Sequence, residues 1–442
     1  TRKESSAASD VYKRQPEGSF EKKSFAIYGL GKTGLSVKKY LKINKVERYF
    51  LWDDNKIKRK KNKISNKNVF LKQLSKVDYI ILSPGIKIDN TIFKKELIKN
   101  KNKIITDLDL LYLRNKKIKS IVVTGTNGKS TTCKLINHIL TKKGVPNVLG
   151  GNIGIPVLDI NFSEKKIFII EASSFQLEYS KFIKPTFALL LNISNDHLDW
   201  HKNLKNYKRS KFKIFKNQSV KDFSFLNDKE LINIYKKKKY KAKLNLIKNF
   251  DFKTIRNIYL KSKANIENLN FVFCLSKKFK IDKAEFLKYI DSFKGLEHRY
   301  EIFLKLKNIY FINDSKATTF KASKYALMSE KNIYWILGGL PKLNDKFYLD
   351  GIKKNIIHAF IIGKNTNYFK KQLINKINFT ISSKLESAVL SIFKELKNKN
   401  TSNETKIVLL SPASASFDQF KNFEERGKNF KKIIKTYARK HF

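Results

Sequence analysis

Short apolar runs alternate with amphipathic stretches along almost the whole chain, and this alternation limits the possible folds more than any other feature. The runs include "KSFAIYGL", "RYFLWDD", "VDYIILSPGI", "IKSIVVTG", "KIFIIEASSFQLE" and "TFALLLNISNDHLDWH". Later come "NIYFIND", "NIYWILGG", "IIHAFIIGK" and "TKIVLLSP", each followed by a loop and a helix-like stretch. Strands that alternate with helices must be joined by crossovers, which makes their sheets parallel and covers both faces. The expectation is an α/β chain in three blocks. The first runs from 21 to 108, the second from 109 to 297 and the third from 298 to 442. No internal repeat of solenoid length is present.

Length and composition agree with three blocks. The chain has 442 residues, of which 41% are hydrophobic, enough for several cores. No apolar run is long enough to span a bilayer, and no signal-peptide pattern is seen at the start. Two cysteines, Cys133 and Cys274, cannot build a disulfide framework, so a cytoplasmic location is expected. Residues 1–20 lack apolar periodicity and are set aside as a disordered tail or an artefact. The net charge of +55 has two readings. One is a nucleic-acid or membrane surface. The other is compositional drift, with lysines spread over every solvated face, and their even scatter favours it. Functional nucleic-acid binding and membrane association are therefore not expected, and the same field suits anionic substrates.

"YGLGKTGLSVKKYL" places Gly29, Gly31 and Gly34 between a strand and a helix, with Asp53 at the end of the next strand. Such glycines let the backbone approach a pyrophosphate at a helix N-terminus. Taken alone the motif suggests a dinucleotide, and a purely structural tight turn is the plain alternative. Gly85, in "SPG", ends a further strand, where ligands of open α/β sheets bind.

"VVTGTNGKSTT" (122–132) has the features of a phosphate-binding loop. Gly125, Thr126, Asn127 and Gly128 would offer backbone N–H groups to phosphate oxygens. Lys129 would reach the terminal phosphates, Ser130 would bind magnesium, and Thr131 follows on the helix. The usual first glycine is Val123 here, so Gly125 takes up the turn. Two apolar runs stop at Glu171 and at Asp196-His197, and a parallel sheet would deliver them to the same edge. A carboxylate and an imidazole there can hold magnesium beside ATP, although a lone histidine at a strand end is more often structural. His201 is expected to be a surface histidine.

"TGTNGKSTT", "GGNIGIP", "EASSFQLE" and "LNISNDHLDWH" together resemble the ATP-dependent Mur ligases of peptidoglycan synthesis. "NDSKATT", "LGGLPKLNDKF" and "SPASASFDQFKNFEERG" narrow the resemblance to the branch that adds D-glutamate to UDP-N-acetylmuramoyl-L-alanine. The motifs occur in order from about residue 24 to the end of the sequence. The resemblance implies Rossmann-like N-terminal and C-terminal domains flanking a P-loop ATPase-like central domain. These would bind the UDP substrate, the amino acid and ATP respectively, so the glycine turn would hold UDP. It also implies a monomer and two magnesium ions.

Residue by residue, the resemblance puts Lys32, Thr33 and Asp53 at the UDP end and Asn152 at the muramoyl end. Lys129, Ser130, Glu171 and His197 would serve the phosphates and magnesium. Lys211, in "NYKRSKF", falls on the family's carbamylated lysine, which turns a cation into an oxygen ligand for a hard metal. Asn265 and Asn268 match the adenine side, and Arg299 and Asp314 match nucleotide-site residues. Lys316 and Thr318 would meet carboxyl or phosphate oxygens, and Lys342 is a further basic contact. Ser416, Phe417 and Phe423 match the D-glutamate pocket. The departures are Thr319 for Asn, Ser414 for Cys, Trp200 for Arg, and Ser262 and Ala264 in a weakened Gly-x-His-Asn pattern. Other readings are a different muramyl-peptide ligase, a folylpolyglutamate synthase, which lacks a UDP domain, or a basic nucleic-acid-binding protein with a nucleotide switch.

Overall fold

The computed structural model describes residues 20–441 except 65, 252–253, 261–262, 343–344 and 399–403. Residues 1–19 of the initial stretch and Ser262 lie outside the described residues. The chain divides into two compact units, Thr1–Phe293 and Lys294–Phe442. The first contains two sheets and the second contains one.

The first sheet holds β1 (Phe25–Tyr28), β2 (Tyr49–Trp52), β3 (Tyr79–Leu82) and β4 (Ile104–Ile105). Its order is β2-β1-β3-β4, with every pair parallel. Successive strand residues face opposite sides, so β1 feeds two cores. Phe25 and Ile27 join Val37 and Leu41 on one face, whereas Ala26 and Tyr28 join Phe70 and Trp52 on the other. The strand order reverses between β2 and β3 on either side of β1. The glycine turn after β1 and Ser83-Pro84-Gly85 after β3 sit at this switch point, where such sheets open a crevice.

The second sheet, also parallel, holds β5 (Lys119–Thr124), β6 (Asn147–Gly151), β7 (Ile167–Glu171), β8 (Phe187–Leu190), β9 (Phe223–Leu226) and β10 (Lys243–Leu246). Its order is β10-β9-β8-β5-β7-β6. The three strands bearing the phosphate loop, Glu171 and the Asp196-His197 segment are thus direct neighbours. The lysine-rich stretch "YKKKKYKAKLN" closes the helix Lys229–Lys237 and opens β10 at the sheet edge. Charged side chains there discourage pairing with another chain.

The third sheet holds β11 (Glu301–Leu306), β12 (Ile309–Asn313), β13 (Ile333–Gly338), β14 (Ile356–Ile362), β15 (Phe379–Ser383) and β16 (Lys406–Leu410), ordered β11-β12-β16-β13-β14-β15. It is parallel except that β11 pairs antiparallel with β12. Only two residues join those strands, too few for a crossover, and Lys307 turns the chain with φ +49°. Ile333, Trp335 and Leu337 fill one core, and Tyr334 and Ile336 fill the opposite one. Among the described residues, no helix is long and apolar enough to cross a membrane.

Candidate functional site

The phosphate loop leaves β5 and enters the helix Lys129–Lys142. Gly125 and Gly128 take φ values of +158° and +82°, which ordinary side chains rarely adopt. A Cβ on Gly128 would lie 2.2 Å from Asn268 Oδ1, so Asn268 closes on the loop directly. The loop is also held from β8. The amides of Thr126 and Asn127 donate to Asn192 O and Oδ1, both at 2.9 Å. Thr126 Oγ1 accepts from Ser194 N at 3.0 Å and lies 3.2 Å from Tyr207 Oη. Ser130 and Thr131 are buried at the helix start.

Two lysines converge on this loop. Lys129 Nζ donates to Gly125 O at 2.9 Å and Thr126 O at 2.8 Å. Lys211, on the helix Leu204–Phe212, donates to the same Gly125 O at 2.8 Å. Lys211 is 1% exposed and its Nζ stands 4.6 Å over the Tyr207 ring. Burial, reinforced by the charge of Lys129, holds the Lys211 amine well below the usual lysine range. Both effects disfavour the charged form of the amine.

Glu171, at the end of β7, is 2% exposed. Its Oε1 accepts from Asn152 Nδ2 at 2.8 Å, while its buried Oε2 has no hydrogen-bond partner. A Cβ on Gly151 would come within 2.4 Å of Glu171 O, so glycine brings the Asn152 segment against the strand. His197 begins the short helix Leu198–His201 with φ +52°. Its ring packs 4.8 Å from Phe175, and its Nε2 lies 3.4 Å from Asp196 Oδ2. Burial lowers its pKa despite Asp196, which leaves a neutral imidazole able to ligate.

Among the described residues, no three His, Cys, Asp or Glu side chains are gathered as a metal cluster. Magnesium held here would draw on Ser130 beside Glu171 and His197. The partnerless Glu171 oxygen fits a hard cation, since an anionic oxygen buried without a donor is costly.

His201 overturns the expectation of a surface histidine, being only 3% exposed. Its Nε2 lies 3.0 Å from Ser174 Oγ, and Phe175 stacks on its ring. Burial and then Lys211 push its pKa down to about 4. Trp200 joins this aromatic group, 4.6 Å from His201 and 5.0 Å from Phe175.

At the first sheet, Gly34 is required by packing, because a Cβ there would lie 1.8 Å from Gly29 O. Asp53 is buried, and its oxygens accept from Leu30 N at 2.6 Å and Asn55 N at 2.8 Å. Burial alone would raise its pKa, but these amides and Lys58 bring it below the usual range. Lys32 Nζ donates to Gly154 O at 2.7 Å, linking the glycine turn to the "GGNIGIP" loop. Thr33 is partly buried and Gly85 is exposed. Asn265 donates to Tyr259 O at 2.7 Å, and Asn268 Nδ2 lies 3.5 Å from Asn265 Oδ1.

The second unit brings together a different set. Asp314 accepts from Tyr300 N at 3.1 Å and from Ser411 Oγ at 2.7 Å. Burial raises its pKa to about 7, against the pull of Ser411 and Arg299. Lys316 Nζ lies 4.6 Å over the Phe423 ring. Ser416 is buried, Thr318 is partly buried and Lys342 is exposed. Phe417, assigned to the amino-acid pocket, is 70% exposed. Thr319 caps the helix Phe320–Ser329, accepting from Ala322 N at 3.3 Å, so this departure keeps a capping side chain. Sequence reasoning missed Asn192, Tyr207, His201 and Arg426, whose residue types are common and whose importance comes from burial and partners.

Residues 123–284 match the model of the Mur ligase middle domain. A UDP-N-acetylmuramoylalanine–D-glutamate ligase of Rickettsia felis is 35% identical, with 95% of this chain and 98% of the relative covered. The enzyme of the same name from Wolbachia pipientis is 32% identical, with 96% and 98% covered. Among solved structures, a UDP-N-acetylmuramate–alanine ligase from Thermotoga maritima superposes with TM-score 0.54 at 16% identity, covering 94% of this chain and all of that one, 100%. The MurF ligase of that organism in complex with ADP gives TM-score 0.54 at 15% identity, covering 85% and 94%.

Proposed function

The chain belongs to the Mur ligase family, among the UDP-N-acetylmuramoylalanine–D-glutamate ligases, and we propose on that footing that it joins D-glutamate to UDP-N-acetylmuramoyl-L-alanine with ATP. The reaction is a cytoplasmic step in making peptidoglycan precursors and is carried out by a monomer. Residues 21–108 receive the UDP end, 109–297 hold ATP, and 298–442 bind the amino acid.

A carboxylate is a poor electrophile, so the alanyl carboxylate first attacks the γ-phosphorus of ATP and ADP leaves. The D-glutamate amine then attacks the acyl carbon, phosphate departs, and the amine loses a proton. The protein's part is positioning and charge neutralisation. The observation that carries this reading is the convergence of Lys129 and Lys211 on Gly125 O. Lys129 brings its charge to a loop of phosphate-binding sequence, which suits an incoming polyanion, while the buried Lys211 meets the same carbonyl from the opposite element.

Ser130, Glu171, His197 and a carbamylated Lys211 would hold two magnesium ions. When bound, the ions supply charge neutralisation at the phosphate oxygens. Only a neutral amine adds to carbon dioxide, releasing a proton and leaving the anionic carbamate. The depressed pKa of buried Lys211 supports that step. Asn265, Asn268, Arg299 and Asp314 serve the nucleotide. Lys32, Thr33, Asp53, Gly85 and Asn152 serve the UDP substrate. Lys316, Thr318, Lys342, Ser416, Phe417 and Phe423 serve the reacting carboxyl and D-glutamate.

The test is phosphate release from ATP with UDP-N-acetylmuramoyl-L-alanine and a varied amino acid. Release that depends on D-glutamate, with little from L-glutamate or a diamino acid, is expected. No release from folded protein with any amino acid would defeat the reading.

A further inference from the structure

Arg426 lies on the helix Phe423–His441 and is 1% exposed. Its Nε donates to Ser315 Oγ at 3.1 Å. Its Nη2 donates to Ser315 O at 2.8 Å and to Ser414 O at 2.9 Å, and its Nη1 reaches Gly338 O at 3.4 Å. These acceptors stand at or just beyond the ends of β12, β13 and β16, which are neighbours in the sheet. One planar guanidinium therefore fastens three segments at the same edge.

Its hydrogen-bond acceptors are all neutral, and burial lowers its pKa only to about 10, with Asp418 opposing the shift. Arg426 is thus a buried cation at neutral pH, an arrangement that disfavours folding unless the bonds it makes are needed. The segments also grip one another. Leu340 and Ala415 exchange backbone hydrogen bonds at 2.8 and 3.0 Å, and Ser315 Oγ donates to Phe423 O at 2.9 Å. A Cβ on Gly427 would lie 2.2 Å from His298 Nδ1, so the helix is pressed onto the β12 side.

We propose that Arg426 is the positioning residue of the amino-acid site, setting the spacing between Lys316, Ser416 and Phe423 by pinning Ser315, Gly338 and Ser414. The inference rests on the reading of Ser416 and Phe423 as part of the D-glutamate site and of Lys316 as a group beside it that meets the reacting carboxyl. Lysine cannot replace it, because a point charge on a flexible stem does not present the fixed fork of donors that reaches three segments at once.

The test uses the full chain with Arg426→Lys and Ser315→Ala, measuring KM for each substrate, kcat and thermal melting. KM for D-glutamate should rise roughly tenfold or more in Arg426→Lys, the scale of a lost hydrogen bond to a charged group. KM for ATP and for the UDP substrate should stay within about twofold, since those sites lose no such bond. Ser315→Ala should move KM for D-glutamate in the same direction by less. An unchanged KM for D-glutamate, or an equal rise for all three substrates, would overturn the proposal. If Arg426→Lys does not fold, Ser315→Ala decides by the same criterion. If the wild type shows no D-glutamate-dependent turnover, the functional reading has failed. Amide exchange around 313–316 and 411–416 in Arg426→Lys then decides the pinning, with faster exchange in both segments supporting it and unchanged exchange overturning it.

Discussion

At the scale of single residues, the burial of ionisable groups separates the side chains that matter from the many that resemble them. Lys211 is one lysine in a chain with 93 lysines and arginines, and apart from the family resemblance of "NYKRSKF" nothing in its local sequence marks it. Its burial against Gly125 O and its depressed pKa do. Lys211→Ala should abolish most turnover while the protein still melts cooperatively. Isotopically labelled bicarbonate should give a carbamate resonance in wild type that is missing from this variant. Wild-type activity in the variant would remove the carbamate assignment. Lys129→Ala should lower turnover by at least ~10²-fold, the effect of losing one pre-organised electrostatic group, as measured by phosphate release. His201 supports a pH prediction. Its folded pKa of about 4 lies below the ordinary 6.5, so the neutral ring is favoured by folding. That stability is fully present above 6.5 and is lost as pH falls through about 4. Denaturant titrations across this window should show a shallower acid loss for His201→Gln. Equal slopes for both proteins would rule out His201 as a contributor.

At the scale of elements, the glycine turns divide into those needed for packing and those that leave room. A Cβ on Gly34 would meet Gly29 O at 1.8 Å, whereas one on Gly31 would meet nothing within 4 Å. Gly34→Ala should destabilise by about 1–3 kcal/mol or more, the cost of overpacking a fixed backbone. It should also weaken the UDP substrate while sparing ATP affinity. Gly31→Ala should do much less, and isothermal titration with each nucleotide distinguishes the two. The strands of the second sheet were legible because apolar runs leading to the glycine-rich loop, to Glu171 and to Asp196-His197 allow few other arrangements, although the last strand ends at Leu190, short of the expected Asp196. Weak strands escaped notice. β10 reads "KLNL" and β15 reads "FTISS", with too little apolar character to stand out before neighbours pair with them.

At the scale of the molecule, charge is the dominant global property. A net +55 leaves a field that attracts every anionic substrate of the proposed reaction. The kcat/KM for the UDP substrate should therefore fall with added salt, by roughly tenfold if encounter limits the rate. A flat salt profile would assign the charge to composition alone. DNA should bind in a salt-sensitive manner without stimulating phosphate release, and stimulation would revive the nucleic-acid reading.

The sequence by itself determined the α/β class, the strand-to-helix turn that carries the glycine-rich loop, and the place of Glu171 at a strand end. Apolar periodicity and short glycine-rich motifs are local properties that are written in consecutive residues. Tertiary structure alone decided that Lys211 shares a carbonyl with Lys129, that His201 is interior, and that Arg426 fastens three strand ends. Those facts depend on residues far apart in the chain, such as Gly125 with Lys211 and Ser315 with Arg426. Burial, which sets their pKa values and the cost of their unmet hydrogen bonds, exists only once the sheets have brought such residues together.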